Sequence, residues 1–278
     1  MRMNEKALRI AVLDLYQGEP NQGMRCIREL LQQYEAMHGL ACEIHEFDVR
    51  GKEELPDLTY DVYISTGGPG SPLEDPQSRW EGPYFRLMDK LAEHNLTGEE
   101  KKHVLFICHS FQLICRHYKL GNVCKRKSTS FGVFPVHLTP AGTDEPVFEG
   151  LPDPFYAVDS RDFQVISPDR KKLARMGATI LAIEKERPHV PLERAIMAIR
   201  FSPYFLGTQF HPEADAKGMS LHLQQPQRRE QVIAEHGREK YDSMLEQLND
   251  PDKIMLTQRL IIPRFLDMAV HACRAVLR

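Results

Sequence analysis

The stretch VLFICHSFQ, residues 104–112, decides how this chain is read. Val104 to Ile107 is a continuous apolar run, as expected of a strand buried on both faces of a parallel sheet. His109 to Tyr118 has the spacing of a helix. Cys108 stands at the junction. A residue on a sharp strand-to-helix turn is presented at the carboxyl edge of a sheet, where the helix N-terminus meets it. The helix dipole favours a thiolate there, and the backbone N–H of His109 is placed to face a developing oxyanion. The same pattern also describes a small core hydrophobe. That bland reading serves for Cys26, Cys42, Cys115, Cys124 and Cys273, the other five of the six cysteines.

Working outward toward the N-terminus, β-like and helical patterns alternate. Leu8 to Leu15 is an apolar run. Met24 to His38 places Ile27, Leu30, Leu31, Tyr34 and Met37 on one helical face, and Gly39 can end the helix. Ala41 to Val49 and Tyr60 to Thr66 read as strands, and Pro83 to Asn95 as a helix. This repetition predicts an α/β fold: a flavodoxin-like, open, mostly parallel sheet with helices on both faces. Beyond Tyr118 the pattern changes. Phe131–Leu138, Phe155–Val158, Thr179–Glu184, Ala195–Phe201 and Tyr204–Phe210 are short strands with brief connections, which predicts a small antiparallel part. After His211 the chain turns polar and helical from Gln224 to Leu248, then helical and apolar from Asp252 to Leu277, with a kink expected at Pro263. The organisation expected is a domain over residues 1–214 and a helical C-terminal extension over 215–278 packed on it.

Composition narrows the function classes. The chain has 278 residues, 42% hydrophobic and 27% charged, as in an ordinary globular protein. Its formal charge of -3 gives no reason to expect nucleic acid. The run Lys125-Arg126-Lys127 reads as a solvated loop. No C-x-x-C pair points to zinc or redox chemistry, and no apolar stretch has the length of a membrane span. The N-terminus reads as a first strand rather than a signal peptide. A cytoplasmic protein with reduced thiols fits these features.

Two further motifs share the chemistry of Cys108. STGGPGSP, residues 65–72, follows a strand, and its glycines Gly67, Gly68 and Gly70 let backbone N–H groups approach a ligand. It lacks the lysine and spacing of a nucleotide-binding phosphate loop. TQFHPEA, residues 208–214, ends an apolar strand with His211 and places Glu213 two residues on. A base oriented by a carboxylate is what activates a thiol.

Taken in order, the Gly-Pro loop, Cys108 and the His-Pro-Glu element resemble the class I, or triad, glutamine amidotransferases over roughly residues 8–214. The smaller relatives that resemble the amidotransferase part of GMP synthase fit this size. The resemblance implies Cys108 as nucleophile, His211 as base and Glu213 as the residue orienting His211. It implies an oxyanion hole from the N–H groups of Gly68 and His109. Gly70, Gln112, Ser160 and Asp162 are implied as substrate contacts. The reaction implied is hydrolysis of the glutamine side-chain amide through a γ-glutamyl thioester, with no cofactor and no metal. A γ-glutamyl hydrolase acting on amides or peptides would use the same residues, and a catalytically impaired regulatory subunit would keep the fold. The partners implied are a glutamine or γ-glutamyl substrate and a synthase on a separate chain. Homodimer contact through the extension is an alternative to its packing on its own domain. The family elbow reads G-x-C-x-G, whereas Phe106 and Ser110 stand here. Phe106 either fills a space vacated elsewhere or remodels the turn. The side chain of His109 is expected on the surface at the helix start.

Overall fold

The computed structural model describes residues 7–188, 190–248, 250 and 253–276. Its first half is the predicted alternation. Strand β1 (Leu8–Asp14) leads to helix α1 (Gln22–His38), then β2 (Cys42–Asp48), β3 (Val62–Ser65), α2 (Glu81–Thr97), β4 (His103–Ile107) and α3 (His109–His117). The Asn21 side chain caps α1 by accepting from Met24 N at 2.7 Å. Gly39 ends it at φ 58°, a left-handed conformation that suits glycine. Ile27, Leu30, Leu31 and Tyr34 are buried as expected, but Met37 is 79% exposed because the helix has by then run past the sheet it covers.

The second half adds β5 (Asn122–Leu138), a single-turn α4 (Pro140–Thr143), β6 (Phe155–Ile166), α5 (Arg170–Met176), β7 (Thr179–Glu184), β8 (Ile196–Ser202) and β9 (Phe205–Thr208). All nine described strands form one sheet in the order β2-β1-β3-β4-β9-β8-β7-β5-β6. The strands from β2 to β9 are mutually parallel, and those beyond β9 are antiparallel. The fold class is therefore the one expected, with the antiparallel part continuous with the parallel one. Both β5 and β6 are longer than the sequence suggested. They pair as a twisted ribbon with a register shift between Lys125 and Ser130. This corrects the reading of Lys125-Arg126-Lys127 as a loop. The run lies in β5, and the Arg126 guanidinium is buried, pairing with Glu184 Oε1 at 3.0 Å and Gln164 Oε1 at 3.1 Å.

After the sheet come α6 (Ala216–Gln224), α7 (Pro226–His236), α8 (Arg238–Leu248) and α9 (Ile254–Val276). Gly237 at φ 85° separates α7 from α8 where the sequence suggested one helical region. Met219, Leu223, Tyr241 and Met244 from α6 and α8 bury against Phe131, Val133 and Val158 of the ribbon. Helix α9 runs through Pro263 as one element; Asp252 and Leu277, the predicted ends, lie outside the described residues. Ile261, Phe265 and Leu266 of α9 share a core with Ile10 and Leu105 of the central strands. Among the described residues, no helix is long and apolar enough to cross a membrane.

Candidate active site

Strand β4 sits between β3 and β9, and all five of its residues are buried. It delivers Cys108 to the carboxyl edge of the parallel strands. Cys108 has φ 48° and ψ -96°, outside the regions that non-glycine residues normally adopt. Such a conformation persists only where the surroundings over-determine it. Here Cys108 N donates to Thr208 O at 2.8 Å on β9 and Cys108 O accepts from Gln112 N at 3.0 Å in α3. Ser110 locks the turn from beneath. Its Oγ accepts from Ile107 N at 2.8 Å and lies 2.7 Å from the Ser65 carbonyl oxygen, to which it donates.

The turn is thus formed despite Phe106. The Phe106 ring is fully buried and packs edge-on against Phe201 and Phe205, with centroids 5.8 Å away in each case. Its partner in register on β9 is Gly207. A Cβ at Gly207 would come within 2.7 Å of both Phe111 and Phe201. Gly207, across the ladder from Phe106, leaves room for the Phe111 and Phe201 rings, and Phe201 in turn packs on Phe106.

His211 reaches the same edge from the end of β9. Its N–H donates to Val158 O at 2.8 Å, which ties the segment to β6. Nδ1 lies 2.8 Å from Glu213 Oε1, and Cys108 is near enough to influence the charge on the imidazole. Glu213 is 1% exposed. Burial pushes the His211 imidazole down, but the Glu213 carboxylate and Cys108 outweigh it and hold it well above its ordinary value. Cys26 lines the pocket beside His211 and Glu213, but burial pushes its thiol up to about 12, which leaves it inert.

The Gly-Pro loop closes over this group. A Cβ on Gly67 would lie 2.9 Å from His211 Cε1, and one on Gly68 would lie 2.4 Å from the Leu15 carbonyl oxygen. Both positions exclude a side chain because of close approach. Gly70 has φ 90° and lies further out, exposed. Ser160 lines the pocket with His211, and its carbonyl oxygen is 3.7 Å from Cys108 Sγ.

Three expectations meet a different arrangement. The His109 side chain is buried, not on the surface, because α3 starts beneath the loop rather than in solvent; burial drives its imidazole down to about 3, so it stays neutral. Gln112 is buried with Nε2 already engaged by Phe163 O at 3.1 Å and Gln209 Oε1 at 3.2 Å. Asp162 is not brought to the site. It is exposed at the ribbon's register shift, accepting from Thr129 Oγ1 at 2.5 Å.

Two residues near the chemistry escaped the sequence reading. Gln209 Nε2 lies 3.8 Å from Cys108 Sγ. Strand alternation, which puts positions 209 and 211 on one face, was the available signal. Tyr16, just past the end of β1, lines the pocket, and its hydroxyl oxygen is 3.1 Å from where a Gly67 Cβ would be. Burial and the nearby Glu213 carboxylate hold its phenol well above the usual range. Among the described residues no group of three or more His, Cys, Asp or Glu side chains is placed to hold a metal ion.

The chain resembles a glutamine amidotransferase of Thermotoga maritima, with a TM-score of 0.63 at 16% identity over 95% of this chain and 99% of that one. A glutamine amidotransferase of Methylobacillus flagellatus gives 0.60 at 14% identity, over 96% and 95% of the two chains. The glutaminase domain of Trypanosoma brucei CTPS, solved with bound acivicin, gives 0.58 at 13% identity, over 96% and 94%. These likenesses show the fold. Among curated proteins, none matches the chain. The family described as glutamine amidotransferase class-I matches residues 24–225, well over half of the sequence. The chain belongs to the class-I glutamine amidotransferase family.

Proposed function

We propose that the protein hydrolyses the side-chain amide of glutamine, with Cys108 as nucleophile, His211 as proton carrier and Glu213 as its orienting carboxylate. The observation that carries this reading is the convergence of Cys108, at the strained turn after β4, and the buried His211–Glu213 pair at the carboxyl edge of the parallel strands. Cys108 Sγ attacks the amide carbon, and the N–H groups of Gly68 and His109 receive the negative charge on its oxygen. The C–N bond breaks as His211 gives its proton to the departing nitrogen, and ammonia leaves. A water then attacks the γ-glutamyl thioester. His211 takes its proton, glutamate departs and the Cys108–His211 pair is restored. Ser160 borders the pocket and is the remaining substrate contact we assign. Ammonia passes to an acceptor enzyme on a separate chain.

A second reading is favoured by one feature. The pocket lined by His211 is also lined by the apolar side chains of Phe131, Val158 and, from α6, Met219. A γ-glutamyl amide or peptide with a larger leaving group would fit the same chemistry. Steady-state release of ammonia from glutamine, set against release of amine from γ-glutamyl amides, separates the two. Cys108→Ala is expected to abolish either activity. Activity in the variant equal to wild type would refute both, as would failure of a glutamine-like electrophile to label Cys108 in folded protein.

A further inference from the structure

The Gly67–Pro72 loop has no regular secondary structure, yet on the reading just proposed it must hold the Gly68 N–H steady at the nucleophile. Two guanidinium groups hold it. Arg50, beyond the end of β2, uses Nη1 twice: it donates to Leu15 O at 3.2 Å and to Pro69 O at 2.6 Å. One side chain thus ties the loop to the end of β1. Arg116, on α3, donates to Pro72 O and pairs with Glu81 of α2. Each guanidinium lies over an aromatic ring of the α2 region, Arg50 at 5.3 Å from the Trp80 centroid and Arg116 at 5.4 Å from Phe85. His109, whose N–H is the other proposed oxyanion donor, has its neutral side chain buried within the field of both arginines.

We propose that Arg50 is a positioning residue for amide hydrolysis, fixing the Gly67–Pro72 loop so that its backbone donor stays aimed at Cys108, with Arg116 as the second anchor. Neither residue touches the substrate. The role needs a flat guanidinium that stays stacked on the Trp80 ring while its Nη1 bridges both carbonyls, which a lysine ammonium on a flexible stem does not reproduce. An oxyanion donor is used in the transition state, so a loose loop should lower kcat and spare KM.

The test compares wild type, Arg50→Lys and Arg50→Met on glutamine and on a γ-glutamyl amide. It also measures the rate at which iodoacetamide alkylates Cys108, a reaction with no oxyanion to stabilise. Loss of one oxyanion donor costs ~10²–10³-fold in kcat, so partial misplacement should cost about 10- to 100-fold, with KM within about 2-fold. Alkylation should stay within about 2-fold of wild type, and Arg50→Lys should be as impaired as Arg50→Met. Should Arg50→Met fail to fold, Trp80→Leu, which removes the stacking platform, is expected to lower kcat in the same way. Unchanged kcat, rescue by lysine, or a parallel fall in alkylation overturns the assignment while leaving the hydrolase reading intact. A wild type inactive on both substrates overturns that reading and the assignment with it.

Discussion

At the scale of single residues, the site depends on one proton and one unusual backbone angle. Glu213, 2.8 Å from His211 Nδ1, favours the protonated imidazole. Its value is raised, so the protonated form is favoured to higher pH than in a free imidazole and is lost as pH rises through that raised value. Glu213→Gln should therefore move the alkaline limb of kcat/KM toward lower pH and reduce kcat roughly 10²–10⁴-fold. A pH–rate profile checks this, and an unmoved alkaline limb would contradict it. Phe106 carries a different prediction. Its ring fills a fully buried aromatic cluster, so Phe106→Ala should cost about 3–5 kcal/mol in denaturant unfolding. A small residue at position 106 alone would leave a void beside the Phe201 and Phe205 rings.

At the scale of elements, the strand-to-loop junctions at the carboxyl edge do the positioning. The loop after β3 is held by close approach as much as by hydrogen bonds. Gly67→Ala would place a methyl 2.9 Å from His211 Cε1 and 3.1 Å from the Tyr16 hydroxyl. The imidazole must then move. We expect kcat to drop about 100-fold or more, as for misplaced catalytic groups, with a stability change of only about 1 kcal/mol, as for an ordinary single substitution. Kinetics together with a thermal melt test this, and a variant that loses stability but not activity would speak against it. Gly207 is the contrasting case. A Cβ there meets two rings at 2.7 Å inside the core, so Gly207→Ala should show as a stability loss of ~1–3 kcal/mol from overpacking.

At the scale of the whole molecule, the last helix is part of the main core. Ile261, Phe265 and Leu266 are fully buried together with residues of β1 and β4. Burial also leaves two histidines neutral. His103 is pushed down to about 4 and His109 to about 3, in each case chiefly by desolvation. Both take up a proton more readily when unfolded, near the ordinary value of ~6.5. Each therefore lowers stability as pH falls below ~6.5, by up to about 1.4 kcal/mol per pH unit until its folded value is reached. His211 has the opposite sign: its raised value gives a contribution fully present below ~6.5 and lost as pH rises through that value. Urea unfolding between about pH 5 and about pH 7 should show stability falling with acidification, and His109→Asn should shallow that slope. A slope unchanged by the substitution would exclude His109 as a contributor.

Much of this was determined by the sequence alone. The parallel half, the order of its elements and the three motifs of the site are legible because each depends on neighbours along the chain. Examples are the apolar runs of β1 and β4, the helix end at Gly39, the turn at Cys108, and the two-residue spacing of His211 and Glu213. The tertiary structure decided what depends on distant segments. Only the packed sheet brings Gly207 opposite Phe106, buries His109 beneath the loop, turns Asp162 outward at a register shift and engages Gln112 with Gln209. The buried ribbon Arg126, read as solvated, belongs to the same class. A charged or polar side chain has no local signal for burial, because the partners that make burial tolerable, here Glu184 and Gln164, come from strands tens of residues away. Local rules place a residue at an edge or on a face; long-range packing decides what it meets there.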